Sequence, residues 1–410
     1  MHEPPAPVPQ GVPGPFALGR LPRIEFGPGT FTKVPAIVAT HGSRALIVTG
    51  GRSLARSGRR DALLTGLEAA GVTIAGEEAV VGEPSPALVD GIVAAHRSGS
   101  VDVVVGVGGG SVLDAAKAVA GLLRTGTSVV DHLEGLPGYT PWPGPSVPLV
   151  AVPTTAGTGS EATRNAVISE RGPAGWKRSF RGERLVAADA VVDPDLLAGL
   201  GPVSIATNGM DALTQLLEAY VSLRATPVTD ALALSGLEAA RDGLLAWHAD
   251  PDGPEAPVAR ARMAYASLLS GICLAQAGLG AVHGLASPLG AQYPVPHGGA
   301  CGATLAAVTT ANVEALEERE PANPALARYA VLGRLLARMP ASAPDDQVRA
   351  ALVTTLADWT RRLDVPGLAA YGIDEVSIPA IVADARGSSM RTNPIVLTDD
   401  ELATILRASR

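Results

Sequence analysis

The chain has 410 residues, of which 47% are hydrophobic and 18% charged, and a formal net charge of −8. That length exceeds one ordinary core and fits two domains, while the acidic balance excludes a surface built for nucleic acid or anionic lipid, since both select a basic face. Two cysteines, Cys273 and Cys301, form no CxxC pair and exclude a disulfide scaffold, so a reducing cytoplasm suits the chain.

The first 19 residues are Pro-rich and lack both the basic start and the apolar run of a signal peptide, so a flexible tail is expected there. Short β-rich runs and helical patterns then alternate. Ala45–Thr49 reads as a strand, Ser53–Ala70 as a helix, Val72–Glu77 as a strand and Pro86–Ser98 as a helix. Strand Val103–Val107, helix Ser111–Leu123 and strand Pro148–Val152 follow, which is the rhythm of a parallel sheet covered by helices. After Asp193-Pro194 the pattern changes to long helices, about 209–222, 227–247, 258–280 and 346–362, with no convincing strand. The expected division is therefore an α/β domain over 20–200 and an all-α domain over 201–410. Met263 to Val313 contains no Asp, Glu, Lys or Arg. Gln276, His283, Gln292, prolines and glycines interrupt it, so it reads as a buried helix leading into a buried loop rather than a membrane span.

Val103 to Lys117 runs an apolar strand through Gly108, Gly109 and Gly110 into a helix start. Without a Cβ the backbone turns tightly, and a phosphate can reach the free N–H groups of the helix N-terminus. Ser111 and Asp114 fit an N-cap with an acidic residue three positions on, so a well-capped turn without a ligand is the alternative reading. A second loop, Pro153-Thr-Thr-Ala-Gly-Thr-Gly-Ser-Glu161, leaves the next buried strand, and the pair suggests a dinucleotide crevice. Of the 32 basic residues all but Lys33, Lys117 and Lys177 are arginine, which a compact ammonium at a defined site, or compositional bias alone, explains.

Asp211 and Gln215 stand four apart and share one helix face; His283 and His297 flank a Gly/Pro-rich segment. A carboxylate, an amide oxygen and two imidazoles can hold a divalent metal, although the spacing is no generic zinc signature and a buried histidine is commonly a hydrogen-bonded core residue.

Four motifs in order, Gly-Gly-Gly-Ser-x-x-Asp-x-x-Lys, Pro-Thr-Thr-Ala-Gly-Thr-Gly-Ser-Glu, Gly-Met-Asp-Ala-Leu-Thr-x-x-x-Glu-Ala-Tyr and His-Gly-Leu-Ala-x-Pro-Leu-Gly followed by Pro-His-Gly, resemble the iron-containing (group III) alcohol dehydrogenases from about Arg20 onward. The resemblance implies a Rossmann-like α/β domain for NAD(P), an all-α metal domain as in the dehydroquinate synthase-like architecture, and substrate between them. It implies hydride transfer between nicotinamide and a small alcohol or aldehyde. By motif, Gly109, Gly110, Ser111 and Asp114 would meet the pyrophosphate, Thr154, Thr155 and Thr158 the nicotinamide ribose, and Lys177 the cofactor. Asp211, His283 and His297 would carry catalysis as ligands of Fe²⁺ or Zn²⁺. A homodimer is expected.

The chain departs from the family in three places. Gln215 stands where the fourth ligand is usually histidine, and Ser287 where members with His-Gly-Met-Ala-His have a histidine assigned to proton transfer. Gly50-Gly51-Arg52-Ser53 replaces the aspartate that many NAD-using relatives place after the strand, which leans the expectation toward NADP. Two other readings remain at this point: a lyase or cyclase resembling dehydroquinate synthase, and a non-catalytic nucleotide-binding protein with a decayed metal site. The low aromatic content and many small side chains predict an apolar cleft with no charged anchor, and the uncharged 263–313 stretch offers no Lys or Arg to the phosphorylated substrate that the lyase reading needs.

Overall fold

A computed structural model describes residues 14–51, 53–172 and 175–410. Its strands are β1 (Arg23–Phe26), β2 (Arg44–Gly50), β3 (Thr73–Val80), β4 (Val103–Gly108), β5 (Leu149–Pro153), β6 (Asn165–Glu170), β7 (Trp176–Arg181) and β8 (Asp189–Val192). Six of them form a parallel sheet in the order β1-β8-β5-β4-β2-β3, and β6 and β7 make a separate antiparallel hairpin. All residues of β4 and β5 are buried, as expected of apolar runs covered on both faces. Alternation along β4 sends Val104 into one apolar cluster and Val103, Val105 and Val107 into another on the opposite face.

The chain leaves β2 toward β3 on one side and returns to β4 on the other. That reversal opens a crevice at the carboxyl ends of β2 and β4, where open α/β sheets bind ligands. The glycines after β4 stand there.

From residue 202 onward the described chain is helical. The Pro202–Val221 helix lies at the centre, with every residue from Gly209 to Val221 buried. Around it pack the helices Pro227–Ala249, Ala256–Ala277 and His297–Arg319. A helix surrounded by other helices has no solvent face, so its polar side chains Asp211, Gln215 and Glu218 are buried and must find partners inside the protein.

Several boundaries depart from expectation. The helix expected over Ser53–Ala70 is two, Ser53–Arg56 and Arg59–Ala69, because Gly58 adopts a left-handed conformation (φ 70°) between them. β1, β8 and the β6–β7 hairpin were not expected; β1 and β8 have four residues each, too short for a period to show. The uncharged stretch is not a helix followed by a loop. Gly278 (φ 74°) ends the Ala256–Ala277 helix, the chain bends by 103° into a second helix, Ala281–Gln292, and His297–Arg319 follows. Burial sustains these helices despite Pro288 and the glycines. No single helix among the described residues is long and apolar enough to cross a membrane. Of the expected tail, residues 1–13 lie outside the described residues, and Gly19 is tied by its N–H to Gln276 Oε1 (2.6 Å).

The loop after β5 rests directly on the helical half. Gly159 is left-handed (φ 58°), and a Cβ on Gly271 would lie 2.0 Å from its carbonyl oxygen. Gly271→Ala is expected to cost about 1–3 kcal/mol or more through this overpacking. An unchanged unfolding free energy in denaturant titration would show that the two backbones do not pack as described.

Candidate active site

The helix Gly110–Leu122 starts directly at β4, and its N-cap is Gly109 without a side-chain bond. Ser111 is therefore inside the first turn and not the cap. A helix start leaves its first N–H groups without intrahelical acceptors, so those of Gly110 and Ser111 face the crevice with the positive end of the helix dipole. The second loop interlocks with the first: a Cβ on Gly110 would lie 2.6 Å from Thr158 Cγ2, and one on Gly109 3.2 Å from Thr155 Cγ2. The Thr154 N–H donates to Gly108 O (2.9 Å).

Asp114 is placed differently from a pyrophosphate contact. Its Oδ1 accepts from the Ser160 hydroxyl (2.6 Å) and its Oδ2 from the Val167 N–H (3.1 Å), which ties the helix to the second loop and to β6. Lys117, one helical turn on, is buried, with its ammonium 2.7 Å from Ser160 O, 2.8 Å from Thr163 Oγ1 and 2.8 Å from Asn165 O. Burial pushes it down to about 8. Lys177, on β7, pairs with Glu83 at 2.5 Å.

The second cluster is built by three helices. Asp211 and Gln215 lie on the central helix, His283 near the start of Ala281–Gln292, and His297 is the first residue of His297–Arg319. His283 Nε2 lies 3.1 Å and His297 Nε2 3.7 Å from Asp211 Oδ1. Two residues join them that the sequence reading missed. Cys301, four residues after His297, brings its Sγ to 3.7 Å from Asp211 Oδ1 and 3.8 Å from His283 Nε2. Glu218, seven residues after Asp211, holds His283 Nδ1 at 2.6 Å with Oε2 and accepts the Val282 N–H at 2.7 Å with Oε1. Helical spacings of four and seven are readable in the sequence, but no helix is expected from His297 onward, which hides its relation to Cys301. Gln215 is turned away from the ligand role: its Oε1 accepts from Ser270 Oγ (2.8 Å) and its Nε2 donates to Asp211 (3.1 Å).

This donor set fits a cation. With the Nδ1–H of His283 committed to Glu218, Nε2 faces Asp211 Oδ1, and the contact is attractive only with a positive charge there, either a proton on the ring or a cation between the two. Burial opposes charge on His283, yet Cys301, Glu218 and Asp211 hold its pKa well above the ordinary imidazole value. Desolvation in the cavity wall, with Lys177 and His283 adding to it, lowers His297 to about 4 and leaves it neutral, although Asp211 opposes this shift. Its Nδ1 is buried without a partner.

Both clusters open on one cavity of about 640 Å³, lined among others by Gly110, Ser111, Asp114, Thr158, Lys177, Gln215, His283, Ser287 and His297. The expectation of a cleft without charged anchors is overturned. Arg164, Arg178 and Arg181 from the hairpin region, Arg224 after the central helix and Arg391 also line it, against the acidic Glu83, Asp114 and Glu134. Composition misled here because the charges arrive from a few particular segments. Arg52, on which the lean to NADP rested, lies outside the described residues, as does the side chain of Ser53.

Comparison with known proteins agrees with this architecture. The pattern of the iron-containing alcohol dehydrogenase family matches residues 22–194, and that of the C-terminal region of the Fe-containing alcohol dehydrogenase family matches 205–410. Alcohol dehydrogenase 4 of Saccharomyces cerevisiae is 31% identical over 368 residues, covering 89% of this chain and 90% of its own. Lactaldehyde reductase of Escherichia coli is 30% identical, covering 88% and 90%. Among solved structures, a 1,3-propanediol oxidoreductase superposes with a TM-score of 0.84 at 28% identity, covering 97% of this chain and all of its own. Sulfoacetaldehyde reductase from Bifidobacterium kashiwanohense, in complex with NAD⁺, gives a TM-score of 0.80 at 26% identity, covering 96% and 98%. The glycine crevice, the cation-seeking centre and these matches agree: the chain belongs to the iron-containing alcohol dehydrogenase family, NAD-dependent oxidoreductases that act on CH–OH groups with a divalent metal.

Proposed function

We propose that this protein reduces aldehydes carrying an anionic group, and oxidises the corresponding alcohols, with NAD(H) or NADP(H) and a metal held by Asp211, His283 and His297. The observation that carries the reading is one cavity lined by the glycine turn, by the two imidazoles and by five arginines. When bound, the dinucleotide supplies the hydride donor or acceptor and the metal polarises the substrate oxygen.

The residues would divide the work as follows. The N–H groups of Gly110 and Ser111 receive the pyrophosphate, close to Gly109; Thr154, Thr155 and Thr158 border the nicotinamide ribose, and Lys177 contacts the cofactor. Asp114 holds the loop that carries these groups. Glu218 fixes the tautomer of His283 so that Nε2 presents its lone pair. Ser287 offers a hydroxyl, which relays a proton but does not store one near neutral pH, so the proton is exchanged with cavity water. No carboxylate follows β2, where Gly50-Gly51-Arg52-Ser53 stands, which makes a 2′-phosphate acceptable. Arg178, Arg224 and Arg391 have no carboxylate partner among the described residues, and they suit an anion on the substrate. β1, at the edge of the sheet, leaves Ile24 and Phe26 exposed, which supports a homodimer across that edge.

Three outcomes are expected. In a scan of carbonyl substrates with NADH and NADPH, aldehydes bearing a carboxylate or sulfonate give the highest kcat/KM, and Arg391→Leu lowers it for them by about 10-fold or more while sparing neutral aldehydes; no turnover of any carbonyl compound would refute the dehydrogenase reading. Glu218→Gln weakens metal retention by about 10–100-fold, the usual cost of losing a carboxylate behind a ligating histidine. Analytical ultracentrifugation reads a dimer, and a monomer at micromolar concentration removes the edge-strand interface.

A further inference from the structure

Burial and donor chemistry together single out Cys301. Its thiol is wholly buried, yet it does not merely fill apolar space: its Sγ stands within 4 Å of two of the three proposed ligand atoms. One atom from each of Asp211, His283, His297 and Cys301 can be chosen so that all lie within 4.8 Å of one another. A tetrahedral Zn²⁺ with Zn–S of about 2.3 Å and Zn–N or Zn–O of about 2.0–2.2 Å places its ligand atoms roughly 3.3–3.6 Å apart. Four of the six separations are 3.1, 3.7, 3.7 and 3.8 Å, close to that range, and the other two are within 4.8 Å.

Gln215, by contrast, directs its amide nitrogen at Asp211 and gives its oxygen to Ser270. An amide N–H₂ has no lone pair to offer a cation. A dication would offset the buried negative charge of Asp211 and of a Cys301 thiolate.

We propose that Cys301, rather than Gln215, is the fourth protein ligand of the metal, giving an Asp211–His283–His297–Cys301 centre suited to Zn²⁺, with Gln215 as a hydrogen-bond donor that orients Asp211. This rests on the metal-assisted reading of the site given above. Coordination forms one S–metal bond and releases the thiol proton to solvent; no electron is transferred. A thiolate would favour Zn²⁺ over the harder Mn²⁺ or Mg²⁺. Positions 297 and 301 lie one helical turn apart, so a single helix start delivers an imidazole and a thiolate to the same ion.

The test uses the full-length enzyme, stripped of metal and reloaded with Zn²⁺ or Co²⁺. X-ray absorption of the zinc form is expected to show one sulfur at about 2.3 Å. The cobalt form should show a thiolate-to-cobalt charge-transfer band in the near ultraviolet, and Cys301→Ser removes both signals. The only other cysteine, Cys273, has its Sγ on the Thr229 carbonyl at 3.6 Å, so Cys273→Ser leaves both signals in place. Cys301→Ser weakens Zn²⁺ binding by more than about 100-fold, and Gln215→Ala by no more than the roughly 10–100-fold of an outer-shell change. A bound metal surrounded only by nitrogen and oxygen in the wild-type protein overturns the proposal even if Cys301→Ser fails to fold, and it leaves the dehydrogenase reading standing. A protein that takes up neither metal overturns both. A sulfur-ligated metal with no turnover of any carbonyl compound supports the centre while removing the proposed activity.

Discussion

The ammonium of Lys117 holds the nucleotide side of this fold together. It is 1% exposed and sits among Ser160 O, Ser160 Oγ, Thr163 Oγ1 and Asn165 O. Those oxygens belong to the loop after β5 and to the start of β6, while the lysine belongs to the helix that begins at the glycine turn. Desolvating a cation is costly unless every donor finds an oxygen, so the loop cannot drift from the helix without stranding the charge. Asp114, one turn earlier, binds the same loop through Ser160. The chain has only three lysines, and they divide accordingly: Lys33 forms an exposed pair with Glu25, whereas Lys117 and Lys177 serve the crevice.

The metal side follows a similar economy with opposite charge. Glu218 accepts the Val282 N–H with one oxygen and His283 Nδ1 with the other. One carboxylate thus satisfies a backbone donor at the start of the Ala281–Gln292 helix and sets the tautomer of the histidine that helix carries. Helix starts ordinarily repel cations. Here Asp211 and Glu218, both on the central helix, offset the dipoles of two helix starts, which would let His283 and His297 share one ion from different helices.

Local features of the sequence were the legible ones. The β4–glycine–helix unit is contiguous, so strand, turn and helix start were read almost to the residue. Asp211 and Gln215 were placed on one helix face by their spacing, and the structure keeps them there. What escaped was assembled from distant segments. The β6–β7 hairpin carries Lys177 and three of the cavity arginines on or near strands whose pairing no local period announces. Cys301 was read by redox compartment rather than by its distance from His297, and Glu218 was seen as part of a motif without a partner. Aromatic content, small side chains and the uncharged 263–313 stretch say nothing of the cleft's charges, which come from residues 164–181, 224 and 391.

That division of origin shapes the cavity's chemistry. Asp211, His283, His297 and Cys301 stand on helices, where apolar packing fixes them and where the 263–313 stretch adds no charge of its own. The arginines come from the hairpin and from the segment around Arg391, at the cavity's wall. On the proposed reading, a substrate with a carbonyl at one end and a negative group at the other would be given a direction, its carbonyl oxygen toward a cation held beside Asp211 and its anion toward the guanidinium groups. A neutral aldehyde receives only the first of these instructions, so the same centre can polarise it without fixing its orientation.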